Sequence, residues 1–329
     1  MPTPILICDD SSLARKQLAR SLPPQWDATV SFANDGREAI EAIKQGKGEI
    51  LFLDLNMPVM DGYEVLETIR QQDLATMVIV VSGDIQPVAH KRVLSLGALA
   101  FIRKPVQAEQ IETILTEFGI SIESNKPLQL ADIKVDFLDS YKELANVATG
   151  RAADLLARLL DAFVIVPIPN VNMLEVSELC MALQQIEDRE SVSAVSQGVI
   201  GAGISGEALL IFNESSFDDI AALMKYRGNI DESIRLELLM DISCILIGAS
   251  LKGIADQLDI TFSQSHPIIL GQHVRISDIL KYNAQRWNRI LAIEIPYRIE
   301  HRQINCELLL MFTEDSVDAL NKRISYVNE

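Results

Sequence analysis

The strongest constraint on the fold is a set of four apolar runs in the first third of the chain, each ending on a polar residue. Ile5-Leu6-Ile7-Cys8 ends on Asp9-Asp10, Ile50-Leu51-Phe52-Leu53 on Asp54, Met77-Val78-Ile79-Val80-Val81 on Ser82, and Ala100-Phe101-Ile102 leads to Lys104-Pro105. Continuous apolar runs of this length suit strands buried on both faces of a parallel sheet. With a further strand at 28–33, the spacing predicts strands at 4–8, 28–33, 49–54, 76–81 and 99–103, and helices near 12–21, 36–45, 62–71, 87–96 and 107–118. Five βα units with short loops imply a right-handed, doubly wound parallel sheet. Met57-Pro58 and Asp61-Gly62 are turn and helix-start signals. Asp54 therefore ends a central strand on the carboxyl side, where open α/β sheets place their chemistry.

The polar residues at these strand ends make a coherent set. Three converging carboxylates, Asp9, Asp10 and Asp54, repel one another unless a cation lies among them, and oxygen-only ligation suits Mg²⁺. A carboxylate can attack phosphorus, and the transferred phosphoryl group then needs its equatorial oxygens neutralised. Mg²⁺, the Lys104 ammonium and the Ser82 hydroxyl supply that. The alternative, for Asp9-Asp10 taken alone, is a cap for the helix beginning near Ser11-Ser12.

The first 120 residues resemble a response-regulator receiver domain, which has a flavodoxin-like fold. The resemblance makes Asp54 the phosphate acceptor, Asp9 and Asp10 the acidic pair, Ser82 and Lys104 the phosphate-binding hydroxyl and lysine, and Phe101 a switch residue. It adds Asn56 to the metal site and a histidine kinase as phosphodonor.

A net charge of −17 over 329 residues argues against nucleic acid as a direct partner and disfavours anionic membranes. The amino terminus lacks the pattern of a signal peptide, and no run approaches the roughly 20 apolar residues of a membrane span. Cys8, Cys180, Cys244 and Cys306 show no paired metal-type spacing, so a reduced, cytoplasmic protein is expected. His90, His266, His273 and His301 form no local ligand motif.

Periodicity lapses between Gly119 and Leu130, around Ser124-Asn125-Lys126-Pro127. The chain therefore divides into a domain over 1–120, a linker over 121–131 and a second domain over 132–329. The second opens with a helix from about Val135 to Ala162, on which Tyr141, Leu144, Ala148, Leu155 and Leu159 form one apolar stripe. Asp139, Glu143, Asn146 and Gly150 fall on the opposite, exposed side, and Glu143 and Asn146 are neighbours at i and i+3.

A repeat runs through this second part. A shift of 98 residues places Glu143 on Asp241, Asn146 on Cys244, Gly150 on Gly248 and Pro169 on Pro267. Hairpin strands are expected near 191–200 and 205–213, then near 289–299 and 303–313. Two similar halves with long helices and β-hairpins imply a pseudo-symmetric α/β domain, with Gly150 and Gly248 permitting close helix approach. An outer hairpin strand could pair between chains, so an oligomer is open.

The pattern Asp139-x3-Glu143-x2-Asn146-x22-Pro169 resembles that of the CheC/CheX/FliY chemotaxis phosphatases, CheC most closely, from about Asp132 onward. The resemblance implies that Asn146 orients water on the aspartyl phosphate of a CheY-like response regulator while Glu143 pairs with the partner's lysine; Asp139 and Pro169 complete the motif. The second copy departs from it, because Cys244 cannot present an amide beside Asp241. One working site is expected, with Cys244 as buried packing. The resulting expectation is a cytoplasmic phosphatase controlled by phosphorylation of its own Asp54. Alternatives are a phosphorylation-dependent binding protein or phosphate sink without turnover, and a helix acting on the chain's own Asp54 phosphate.

Overall fold

The computed structural model describes residues 2–120, 122, 128, 135–189, 191–270 and 287–328. The expected linker, including Ser124 to Pro127, lies outside the described residues apart from Ile122 and Leu128, and so does His273. The chain forms two compact units, Met1–Glu143 and Leu144–Glu329. Their division falls within one helix, so the first unit ends with that helix's opening turns.

In the first unit five parallel strands, β1 (Thr3–Cys8), β2 (Ala28–Ala33), β3 (Ile50–Leu53), β4 (Met77–Ser82) and β5 (Ala100–Arg103), lie in the order β2-β1-β3-β4-β5. They alternate with α1 (Ser12–Ser21), α2 (Gly36–Lys44), α3 (Gly62–Gln71), α4 (Pro87–Ser95) and α5 (Ala108–Glu117). Alternate strand residues face opposite layers: Leu6, Cys8, Leu51 and Leu53 pack with Ile40, Val65 and Val93 of α2 to α4, whereas Ile5, Ile7, Ile50 and Phe52 pack with Leu18, Ile111 and Leu115 of α1 and α5. Strand order reverses between β1 and β3, which opens a crevice at their carboxyl ends. Gly62 lets α3 start directly beneath that crevice, since a Cβ there would lie 2.4 Å from the Asp54 carbonyl oxygen.

The second unit is a sheet of eight strands: β6 (Val164–Ile165), β7 (Asn170–Glu175), β8 (Val192–Gly201), β9 (Ile204–Asn213), β10 (Ser263–Gln264), β11 (Ile268–Leu270), β12 (Arg289–Ile299) and β13 (Asn305–Thr313). Its helices are α6 (Phe137–Leu160, from Leu144 onward), α7 (Val176–Arg189), α8 (Phe217–Leu223), α9 (Glu232–Leu258) and α10 (Glu314–Asn328). The hairpins β8–β9 and β12–β13 join through antiparallel β9 and β13, where Leu209 pairs with Leu309. The first hairpin turns on Ala202-Gly203, both with positive φ (52° and 80°), as a two-residue type I′ turn requires.

The repeat is visible in the registers. Asn170↔Glu294 and Ile268↔Ser196 are one pairing shifted by 98 residues, as are Ile165↔Arg298 and Ser263↔Ile200. Each half thus lends its short strands to the other half's hairpin. Leu209 and Leu309 are copies at a shift of 100, because the second hairpin turn holds two more residues than the first; their pairing marks the pseudo-two-fold axis. The outer hairpin strands are consequently covered, contrary to the expectation of a free edge.

Four other expectations change. Glu143, Asn146 and Gly150 are buried rather than exposed, while Leu155 is exposed and Leu159 half-buried, with Ala152, Leu156 and Leu160 buried instead. A single stripe describes a helix with one neighbour along its length, and α6 is covered on all sides from Glu143 to Gly150. Cys244 is exposed, together with Asp241, on the side of α9 opposite Leu239, Ile242 and Leu246. Close helix approach occurs at Gly253, whose added Cβ would lie 2.8 Å from the Ala148 Cα, whereas Gly248 faces open space. Finally, α9 is long and apolar enough to cross a membrane, the one such helix among the described residues; 61% of its apolar window is buried inside the protein, as in a core helix.

These environments predict opposite outcomes for two glycines of α9. Gly253→Ala forces the helices apart and should lower stability by about 1–3 kcal/mol, whereas Gly248→Ala should be neutral or stabilising by up to about 1 kcal/mol. Denaturant unfolding of both variants checks this.

Candidate phosphoacceptor site

The carboxyl ends of β1, β3, β4 and β5 bring Asp9, Asp10, Asp54, Ser82 and Lys104 to one edge of the first unit. Asp54 follows β3; its N–H donates to the Cys8 carbonyl (2.9 Å), and its Oδ2 accepts the Asn56 N–H (2.8 Å). Lys104 follows β5, tied to β4 by its N–H on the Ser82 carbonyl (3.0 Å). Ser82 is fully buried, and its Oγ accepts from the Asp84 N–H. Phe101 is half-buried, its ring 5.2 Å from that of His90.

Lys104 Nζ is the electrostatic centre. It lies 2.7 Å from Asp9 Oδ2, 3.1 Å from Asp54 Oδ1 and 3.2 Å from Glu143 Oε1, and the lysine side chain is 4% exposed. Burial alone would lower its pKa, but Asp54, Asp9 and Glu143 outweigh that and hold it well above the ordinary lysine range. Burial raises Asp9 to about 8 and Asp10 to about 7, despite the opposing pull of Lys104; neighbouring carboxylates add to the rise. Glu143 is raised for the same first reason.

One oxygen each from Asp9, Asp10 and Asp54 lie within 4.8 Å of one another. Asp54 Oδ1, although near Nζ, accepts no hydrogen bond in that buried position. A buried carboxylate oxygen that lacks a hydrogen-bond donor, an all-oxygen donor set and more carboxylates than the one lysine can offset fit Mg²⁺. Asn56 is adjacent, with its side-chain nitrogen unpartnered. Asp9-Asp10 is not the side-chain cap of α1, since Ser11 fills that position by accepting the Ala14 N–H.

The opening turns of α6 complete this unit, which strand-end reasoning alone did not foresee. Asp139 Oδ2 accepts from the Ser12 hydroxyl (2.6 Å) and the Leu13 N–H (2.9 Å), placing a carboxylate at the amino end of α1, where the helix dipole favours it. One turn further, Glu143 reaches Lys104. The motif was legible in the sequence, but its partner was not, because 39 residues separate Lys104 from Glu143.

In the second unit, Asn146 is buried with its amide oxygen unpartnered, and Pro169 is buried just before β7. The repeat-related Asp241 and Cys244 lie in the open on α9, not gathered around any lysine pocket among the described contacts.

A doubly wound sheet with an acidic triad, a hydroxyl and a lysine at its carboxyl edge defines a phosphoacceptor signalling domain. Residues 5–116 match the response regulator receiver domain family. The chemotaxis protein CheY of Bacillus subtilis is 32% identical over 107 residues, 32% of this chain and 89% of that protein. The chain belongs to the receiver family through this domain. Protein-glutamate methylesterase/protein-glutamine glutaminase 3 of Geobacter sulfurreducens is 33% identical over 150 residues, 45% of this chain; the chain spans 40% of that protein's length. The Thermotoga maritima FliY structure is similar with a TM-score of 0.42 at 18% identity, covering 58% of this chain and 96% of that one.

Removing the central cation should be costly. Lys104→Ala leaves Asp9, Asp54 and Glu143 without their counter-charge and should destabilise the protein by about 3–5 kcal/mol, measured by denaturant unfolding. Mg²⁺ should raise the thermal midpoint of the wild type by binding the native state, and Asp9→Asn with Asp10→Asn should abolish that rise.

Proposed function

We propose that this is a receiver-linked phosphatase that hydrolyses the aspartyl phosphate of a CheY-like receiver, using Glu143 and Asn146 of α6. The observation that carries this reading is the contact of the Glu143 carboxylate with Lys104, the lysine of a phosphoacceptor pocket, at 3.2 Å. Asn146 follows at i+3 on the same helix, with an amide oxygen that has no partner.

An aspartyl phosphate already lies beside a lysine and a metal site, so an added catalyst chiefly has to hold water in line with phosphorus. An amide oxygen and amide protons can orient a water molecule without a strong base. Glu143 sets the helix register through its charge-assisted bond to the lysine, and Asp139 fixes the preceding turn. Mg²⁺, when bound by Asp9, Asp10 and Asp54, supplies neutralisation of phosphoryl charge. Ser82 and Lys104 bind phosphoryl oxygens, and Phe101 responds to their occupancy, so that phosphorylation of Asp54 by a histidine kinase controls the cytoplasmic protein.

With acetyl phosphate as donor, phosphate release by the full chain, alone or with a separate CheY-like receiver present, should fall at least about ten-fold on Asn146→Ala, within the usual range for one positioned catalytic group. Equal release by the variant, with Asp54 still accepting phosphate, would overturn the phosphatase reading in favour of a phosphorylation-dependent binding protein.

A further inference from the structure

Lys104 Nζ has three N–H donors to offer, and three carboxylates already stand around it: Asp9 Oδ2 at 2.7 Å, Asp54 Oδ1 at 3.1 Å and Glu143 Oε1 at 3.2 Å. Phosphoryl transfer to Asp54 needs a donor phosphorus within about 3–3.5 Å of an Asp54 oxygen, with the phosphoryl oxygens neutralised. An incoming phosphoryl oxygen therefore has to take the place of one of these partners. Asp54 is the nucleophile, and Asp9 is fixed at the end of β1. Glu143 is the partner carried on an element outside the sheet, the opening turns of α6.

Those turns are held a second time, one turn earlier. Asp139 Oδ2 accepts from the Ser12 hydroxyl (2.6 Å) and the Leu13 N–H (2.9 Å) at the start of α1. Both anchors lie within the first unit. Among the described contacts Asp139 bonds to neither Lys104 nor Asp54, so its effect on the pocket is to keep Glu143 seated. Asp54 is 1% exposed and the Lys104 side chain 4%, too little to admit a phosphodonor.

We infer that the start of α6 is an autoinhibitory latch on this receiver: while Asp139 holds Ser12 and Leu13, and Glu143 holds Lys104, Asp54 is withheld from its phosphodonor. Phosphorylation proceeds through a minor open population in which both anchors are broken, and its rate is scaled by the fraction of chains that are open. In the open chain an Asp54 oxygen attacks the donor phosphorus. The donor's bond to that phosphorus breaks, and the donor departs with the electron pair, as acetate when acetyl phosphate is used. The latch governs how fast phosphate arrives, not how fast it leaves, and does not rest on the phosphatase reading.

The test is the initial rate of phosphate uptake by the full-length chain from radiolabelled acetyl phosphate with Mg²⁺ present, taken before hydrolysis enters. Asp139→Ala should raise that rate at least about ten-fold, the shift in open population expected on losing hydrogen bonds to a charged group. Because the Asp139 charge also acts on Asp10, Ser12→Ala cuts the same latch without changing any charge and should raise the rate about three-fold or more. Glu143→Gln should raise it as well. Equal final phosphorylation of all four chains shows that each receiver is folded. Hydrogen exchange reads the latch itself: amides of residues 139–143 should exchange faster in Asp139→Ala and Ser12→Ala, with those of β1 and β3 unchanged. Uptake at or below the wild-type rate in both of these variants would overturn the inference, whether or not exchange changes. A rise confined to Glu143→Gln would trace to the altered charge around Lys104, and a rise in Asp139→Ala without one in Ser12→Ala to the charge on Asp10; either overturns the latch.

Discussion

The first unit depends on one buried ammonium group held among three carboxylates. Lys104 draws the ends of β1 and β3 toward β5 through Asp9 and Asp54, and binds the start of α6 through Glu143. Ions removed from water need close and well-directed partners to offset desolvation, and the distances of 2.7 to 3.2 Å meet that need. The balance is nonetheless negative. Asp10 adds a fourth carboxylate, and burial resists ionisation of Asp9, Asp10 and Glu143. A site of this kind is incomplete without further positive charge, which is why its oxygen donors fit a divalent cation.

The second unit is governed by exchange of strands between repeated halves. A hairpin alone leaves two edges and an uncovered face, and two-stranded ribbons have marginal stability in water. Here β9 and β13 close one edge of each hairpin, and the short strands lent by the opposite half close the other. Neither half is complete by itself, so the repeat must fold as a pair. The pairing repeats the architecture without repeating these residues or their burial. Glu143 and Asn146 are buried, whereas Asp241 and Cys244 lie on an open helix face with a thiol in place of the amide.

Much of this was legible in the chain because local rules agreed. The apolar runs ending on Asp9, Asp54 and Ser82 became the strands they predicted, since a strand buried on both faces leaves little ambiguity of period. The hairpins at 192–213 and 289–313 followed from alternation and turn chemistry, and the shift of 98 residues reappeared as matched registers. Misreadings arose where several neighbours share one helix. Leu155 fits the stripe begun by Tyr141 yet is exposed, and Gly248 fits the repeat while Gly253 makes the close approach.

The sequence by itself determined the order of elements, the acidic residues and the lysine at the strand ends, the spacing of Glu143 and Asn146 on one helix, and the thiol that replaces the amide in the repeated half. These depend on residue type and spacing along the chain. Only the tertiary structure decided that Asp139 accepts from Ser12 and Leu13 at the start of α1, that Glu143 shares Lys104 with Asp9 and Asp54, and that the repeated halves exchange their short strands. Those are contacts between residues from dozens to more than a hundred positions apart, selected by the closing of a packed core and the pairing of buried charge, and no local period records them.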